Sequence, residues 1–364
     1  MQFRSPPLKG FIMKKSSLLI ILLIVFTVVL LAQQKPIVKA QSVKPTEQSE
    51  APSGKFVGTL FNDALYILQE PQSLNSAKGT AGKNAFLFRR ATIGYAYSIN
   101  KNVSSLIEYD AANKLLEQGF VDVKNLMPSI DVKIGLMQTL SSELNYKMWD
   151  YRSLEASALD RKGFTDEFDM GLTITGRIDA RGNSYARLAV YNGNGLVAEN
   201  DKLKKIAFAA GNWFDKYSVL EAYVDYENLL GGKSIINTKL FFGTTSTKFS
   251  FGLEGFYRLE RKALSAGGDK NPVGGSLFSW FEMTKSVRGV ARIDAIDDDV
   301  ANTSATLASP SYREIYLNIG IDYLPAIDVH LIPNFVFIKQ MKKGTSKEIA
   351  DRMEARLTTA ITIK

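Results

Sequence analysis

The sequence predicts an all-β chain closed into an antiparallel transmembrane β-barrel of sixteen strands. Three observations predict it. From Phe56 to Lys364 about sixteen short segments alternate apolar and polar side chains, the two-residue period of a half-buried strand. The gaps between them run long, short, long, short, so consecutive hairpins turn on opposite sides of a boundary whose two sides are treated differently. After residue 40 no apolar run is long enough for a membrane-spanning helix, so a mature chain that enters a membrane must do so as a closed barrel.

The N-terminus reads as an export signal. Leu18 to Ala32 is apolar except for Thr27, and Lys14-Lys15 stand just before it. That is a charged n-region and an h-region too short to span a bilayer comfortably. Val38-Lys39-Ala40 has suitable spacing for cleavage before Gln41, and Met13 is a candidate true start. An uncleaved anchor is the competing reading. Residues 41–54 are polar with two prolines and read as a flexible leader, which leaves 55–364 as one barrel domain.

Charge and composition narrow the function classes. The formal net charge is +8, but residues 1–40 hold six basic groups and no acid; the remainder has 39 basic against 37 acidic residues. A nucleic-acid partner would require a basic patch in the folded part, and none is expected. Cysteine is absent and histidine occurs once, which excludes disulfides, a Cys nucleophile and any metal site of several His or Cys ligands. No cofactor is expected. Asp297-Asp298-Asp299 looks like solvated loop charge; it lacks an EF-hand pattern, leaving at most loose calcium binding.

The expected strands are 55–69, 85–99, 102–110, 116–124, 130–139, 167–178, 183–192, 204–214, 217–227, 234–244, 248–260, 275–286, 288–296, 311–324, 327–340 and 352–364. Alternation is clearest in 248–260, where Phe249, Phe251, Leu253, Tyr257 and Leu259 oppose Lys248, Ser250, Glu254, Arg258 and Glu260. In 311–324, Ile315, Leu317, Ile319, Ile321 and Tyr323 oppose Glu314, Asn318 and Asp322. A soluble sandwich has the same pattern with its apolar face turned inward. Tyrosines near strand ends (Tyr95, Tyr97, Tyr109, Tyr223, Tyr226, Tyr257, Tyr323) favour the barrel, as an interfacial girdle. Turns are expected at Asn100-Lys101, Asp179–Gly182, Asp215-Lys216, Thr245–Thr247, Val287 and Pro325-Ala326. Sixteen strands close without an exposed edge and leave an aqueous channel.

The longest connection, 140–166, is the third loop on the long-loop side. Ser141 is placed to cap a short helix with Glu143 near its positive end, and Leu144 and Met148, four apart, are placed to pack on the inner wall. If this loop folds into the lumen, Lys147, Arg152, Arg161 and Lys162 line the constriction, balanced by Glu143, Asp150, Glu155 and Asp160. On the barrel wall, alternation turns Arg90, Arg177, Arg258 and Arg292 inward as pore-lining residues. Acids such as Glu167, Asp169, Glu221 and Asp294 share that face, and a mixed wall solvates a channel more than it selects one ion sign.

Two motifs are weighed against chemistry. Asn192-Gly193-Asn194-Gly195 superficially resembles a dinucleotide loop, but no helix pattern follows and Asn-Gly is a preferred turn. His330 raises the possibility of a barrel-embedded hydrolase. Alternation places it with Asp328 and Asn334 on the inner face, with no serine on the flanking strand segment, so no catalytic residue is expected.

The motif Phe86-Leu-Phe-Arg-Arg-Ala-Thr-Ile-Gly94 resembles a strand of the phosphate-selective porin O and P family. Glu108-Tyr-Asp110, Val132-Lys-Ile-Gly135 followed by Glu143, Asp169-Met-Gly-Leu172 with Gly176, and Leu188-Ala-Val-Tyr-Asn-Gly-Asn-Gly195 are similar in order and spacing, over about 55–230. The resemblance implies an outer-membrane channel in a Gram-negative-type bacterium, commonly a homotrimer, that admits phosphate, other small anions or small solutes. Two departures stand out: Met137-Gln-Thr-Leu140 lacks the family's Pro-Phe pair, and the chain ends Thr362-Ile-Lys364 without an aromatic residue. A non-conducting barrel with a structural or adhesive role, plugged by 140–166, is the alternative.

Overall fold

The computed structural model describes residues 51–69, 82–264, 268–302, 311–343 and 348–364. The expected signal peptide and residues 41–50 of the leader lie outside the described residues. Sixteen strands follow in order: β1 Ser53–Gln69, β2 Asn84–Asn100, β3 Val103–Asp110, β4 Leu115–Met127, β5 Ile130–Gln138, β6 Phe168–Arg177, β7 Ser184–Tyr191 and β8 Lys205–Trp213. Then come β9 Ser218–Leu229, β10 Lys233–Thr245, β11 Phe249–Arg261, β12 Val273–Thr284, β13 Val287–Asp297, β14 Tyr312–Ala326, β15 Val329–Lys342 and β16 Glu348–Ile363. Each pairs antiparallel with its neighbours in sequence, and β1 pairs with β16 from Gly58 opposite Ile363 to Ile67 opposite Glu354, closing the barrel. Closure satisfies the main-chain donors and acceptors that an open sheet would leave bare. Ser53 and Gly54, read as leader, already pair with Ser98 and Tyr97 in β2.

Alternation decides which side chains face out. Along β11, Phe249, Leu253 and Tyr257 are exposed, whereas Ser250, Glu254, Phe256 and Arg258 are buried inside. In β14, Ile319, Ile321 and Tyr323 point out while Glu314, Tyr316, Asn318 and Asp322 point in. The outer tyrosines include Tyr95, Tyr109, Tyr226, Tyr257 and Tyr323. Tyr223 is a correction: it shares the inner parity of Glu221 and Asp225, lies buried and donates to Asp225 at 2.7 Å.

Two turns fall elsewhere than expected. The β12–β13 turn is Lys285-Ser286, leaving Val287 in β13 opposite Tyr323. A β-branched residue suits a strand better than a tight turn. Similarly β14–β15 turns at Ile327-Asp328, where Asp328 takes φ +60°, a conformation aspartate tolerates. Pro325 stays in β14 within a register shift between Tyr323 and Ala326, where the ladder is interrupted.

Candidate lumen and its inner loop

Residues 139–167, between β5 and β6, turn back into the barrel instead of standing above it. Their neck is tied by hydroxyls: Thr139 Oγ1 donates to the Asp166 carbonyl at 2.7 Å and Ser142 Oγ to the Glu167 carbonyl at 3.0 Å. Helix α1 then spans Glu143–Trp149. Ser142, not Ser141, occupies the N-cap position, and its hydroxyl serves the neck rather than capping the helix. Glu143 still lies in the first turn and Lys147 in the last, as the helix dipole favours.

The loop is held to the far wall by polar contacts at each step. Lys239 Nζ donates to the Ser141 carbonyl, Asn145 Nδ2 to Glu254 at 2.7 Å, and Ser250 Oγ to the Met148 carbonyl. At the tip, Tyr151 Oη donates to Asp322 at 2.6 Å, and Asp322 also meets His330 Nδ1 at 2.8 Å. On the return, Arg89 reaches the Ser153 and Leu154 carbonyls at 2.9 and 3.2 Å while holding Asp63 at 3.0 Å. A short helix α2, Ala158–Arg161, is capped by Ser157, whose side chain accepts from the Asp160 amide.

Between these polar ties lies an apolar core. Leu144, Met148, Trp149, Tyr151 and Leu154 pack with Phe241, Phe278, Trp280, Val290 and Ile332 of the inner wall. Trp149 meets Phe278 in a tilted pair, with ring centroids 5.0 Å apart and planes at 51°. Leu144 and Met148 thus meet the wall through the face their spacing defines. The aromatic and aliphatic wall residues opposite them were not anticipated. Their inward parity was readable, but nothing in a strand's own sequence says that a loop covers it.

The eight arginines and lysines singled out in the sequence fall into four places. Arg90 pairs with Glu117 and, at 3.5 Å, with Glu167, which also takes Arg152 at 2.8 Å. Arg161 pairs with Glu314 at 2.7 Å and Asp294 at 3.2 Å, Lys162 pairs with Glu314 at 3.1 Å, and Arg292 binds the same Asp294 at 2.8 Å. Arg258 sits between Glu260, Asn237 and the Phe164 carbonyl. Lys147 and Arg177 line a separate cavity of about 320 Å³ between α1 and the β4–β8 wall, where Arg177 holds Asp131 at 2.8 Å. Lys147 stands 5.0 Å over the Trp213 ring. Lys133, Arg187 and Trp213 also line that cavity, and only the inward parity of β5, β7 and β8 could have marked them.

Burial shapes protonation within the loop. It opposes the Arg152 charge, but Glu167, Tyr146 and Asp160 more than offset that and hold the guanidinium above its ordinary range. Burial, then the neighbouring Glu167 charge, raises the Asp160 carboxyl. Burial and Asp322 push the Tyr151 phenol up.

The remaining motifs resolve structurally. Lys343 Nζ sits on the acid triplet, bonding Asp297 at 2.5 Å and the Asp299 carbonyl, so a lysine holds the place a loose calcium would need. Asn192–Gly195 opens the 192–204 loop, with Gly193 at φ +89° donating its amide to Asp169. Beside His330 stand Asp322 and Tyr151; no serine contacts this pair among the described residues.

No protein-family model matches the chain, and no curated protein matches it. Solved structures do resemble its fold. OmpT of Vibrio cholerae in its trimer form superposes with a TM-score of 0.62 at 10% identity, covering 86% of this chain and all of that one. The outer membrane channel DcaP of Acinetobacter baumannii gives 0.63 at 12% identity, over 86% of this chain and 98% of that one. An anion-selective porin from Comamonas acidovorans gives 0.58 at 10% identity, over 86% of this chain and all of that one. At such identities the likeness is one of fold: a closed sixteen-stranded antiparallel barrel, as in outer-membrane porins.

Proposed function

We propose that this chain is an outer-membrane porin of a Gram-negative-type bacterium: a water-filled channel for passive diffusion of small solutes or ions, anions such as phosphate included. The observation that carries the reading is the division of one sheet into two surfaces. The outer face presents Ile107, Ile134, Leu253 and Ile319 to its surroundings, while Asp169, Glu221, Arg292 and Glu354 are enclosed on the inner face. Lipid outside and water inside reconcile both. On this reading residues 1–40 export the chain, lipids surround it, and three copies assemble, as OmpT does in its trimer form. Arg90, Arg177, Arg258 and Arg292 line the wall, and Lys147, Arg152, Arg161 and Lys162 the inner loop. No catalytic role, cofactor or resident metal is needed. In planar bilayers the purified protein is expected to insert with stepwise conductance increments; inserted protein without steps would end the reading.

A second reading has an observation of its own. Trp149, Tyr151 and Leu154 are each 1% exposed, so the loop fills much of the lumen. A barrel plugged in this way would be a structural or adhesive protein. Deleting residues 143–161 would then create conductance where the full chain has none; under the first reading it enlarges an existing one.

A further inference from the structure

We infer that the cavity beside α1 is a binding site for small organic anions with a flat apolar body, such as arene carboxylates, rather than a passage that reads charge alone. The inference rests on the channel reading and adds a ligand class to it. Three cations at this cavity each stand on an aromatic ring: Lys147 on Trp213 at 5.0 Å, Arg187 on Tyr185 at 5.2 Å and Lys133 on Phe120 at 4.8 Å. The cations come from α1, β7 and β5 and their rings from β8, β7 and β4, so no local repeat produces the pattern.

The pairings differ in how far their charge is already spent. Arg187 is shared between Glu221 and Glu143, the latter at 2.6 Å, and Lys133 meets Glu143 at 4.0 Å. Among the described residues Lys147 has no carboxylate partner; its contact is the Trp213 ring. A cation resting on a ring is partly stripped of water on that side, so an arriving carboxylate gains more from it than from a fully hydrated ammonium. Two of those rings, Trp213 and Tyr185, line the cavity itself and can cover apolar ligand surface beside Lys147 and Arg187. Glu143, 38% exposed, repels a second negative charge placed next to Arg187 and so favours a single carboxylate aimed at Lys147. At about 320 Å³ the cavity is at the small end of ligand sites, which suits a one-ring acid. Inorganic anions use only the charges; an arene carboxylate uses both features.

The test is single-channel recording in potassium chloride with benzoate, acetate or inorganic phosphate added to one side. Benzoate is expected to interrupt the current at concentrations at least about ten-fold lower than acetate or phosphate. Lys147→Gln and Trp213→Leu should each abolish that difference, read as the ratio of benzoate to acetate block within each variant. Equal effects of benzoate and acetate, or an unchanged benzoate block in both variants, would overturn the site and leave the channel intact. If no conductance appears at all, the channel reading fails and the site is judged in detergent. There, in a Trp149→Phe, Trp280→Phe background, saturable quenching of Trp213 by benzoate but not acetate supports it, and absence of quenching overturns it.

Discussion

Asp322 is fully buried on the inner wall and accepts from two directions, Tyr151 of the loop tip and His330 of β15. The phenol is therefore a fastening point between loop and wall, and losing a donor to a buried carboxylate costs about 1–3 kcal/mol. Tyr151→Phe should loosen the loop by that amount without unfolding the barrel, read as protease cleavage within 139–167 at lower urea than in the parent. Asp160 adds a pH dependence. Its carboxyl is raised by burial and by Glu167, so the docked loop binds this proton more tightly than a released loop does. Docking is thus favoured below the ordinary carboxylate pKa of about 3.9 and loses that contribution as pH rises through the raised value. Asp160→Asn should flatten this part of the pH profile of loop cleavage; an unchanged profile would assign it to other groups. At this scale the direction of most strand side chains was legible in the sequence, because parity fixes it; that of Arg89 was not, since a register shift opposite Phe61 and Asn62 turns it inward beside Arg90. Arg90, Arg177, Arg258 and Arg292 all point inward. Their partners were not legible, because the carboxylates that meet Arg161 and Lys162 come from β13 and β14, far along the chain.

Among the elements, strands were read far better than the loop. All sixteen occur near their expected places, with the discrepancies at tight turns, where Val287 and Pro325 prefer extended backbone over a corner. For the loop, spacing marked Leu144 and Met148 as one helical face, yet the surface receiving them, Phe241, Phe278, Trp280 and Ile332, was hidden among residues expected to face water. Alternation distinguishes two faces and is silent about which parts of the inner one a loop will dry. On the outer face the prediction is direct. Ile319 is 46% exposed in the middle of β14, and Ile319→Lys should cost on the order of 2–4 kcal/mol if that face meets acyl chains at mid-depth. Urea titration in phospholipid vesicles measures it, and a change near zero would place the residue away from the hydrocarbon.

The whole molecule is a wall with an asymmetric filling. The loop leaves α1, crosses to the inner face of β10–β15, meets Arg89 of β2 and returns to β6, so packed side chains occupy that half of the interior. The cavity of about 320 Å³ lies on the other side, against β4–β8. Charge follows the same division: Arg161, Lys162 and Arg292 are neutralised within the filled half, while Lys147 faces the cavity side with no carboxylate partner among the described residues. Closure and strand number were legible because they follow from the rhythm of gaps. The position of the open space was not, since it depends on where one loop lies. The chain has no cysteine, so single cysteines can locate the water directly. With Thr175→Cys on the cavity side and Asn318→Cys under the loop, conductance is recorded while a charged, water-soluble thiol reagent is added. Thr175→Cys should react and reduce the current, and Asn318→Cys should not; reaction at Asn318→Cys with none at Thr175→Cys would contradict a water path along β4–β8.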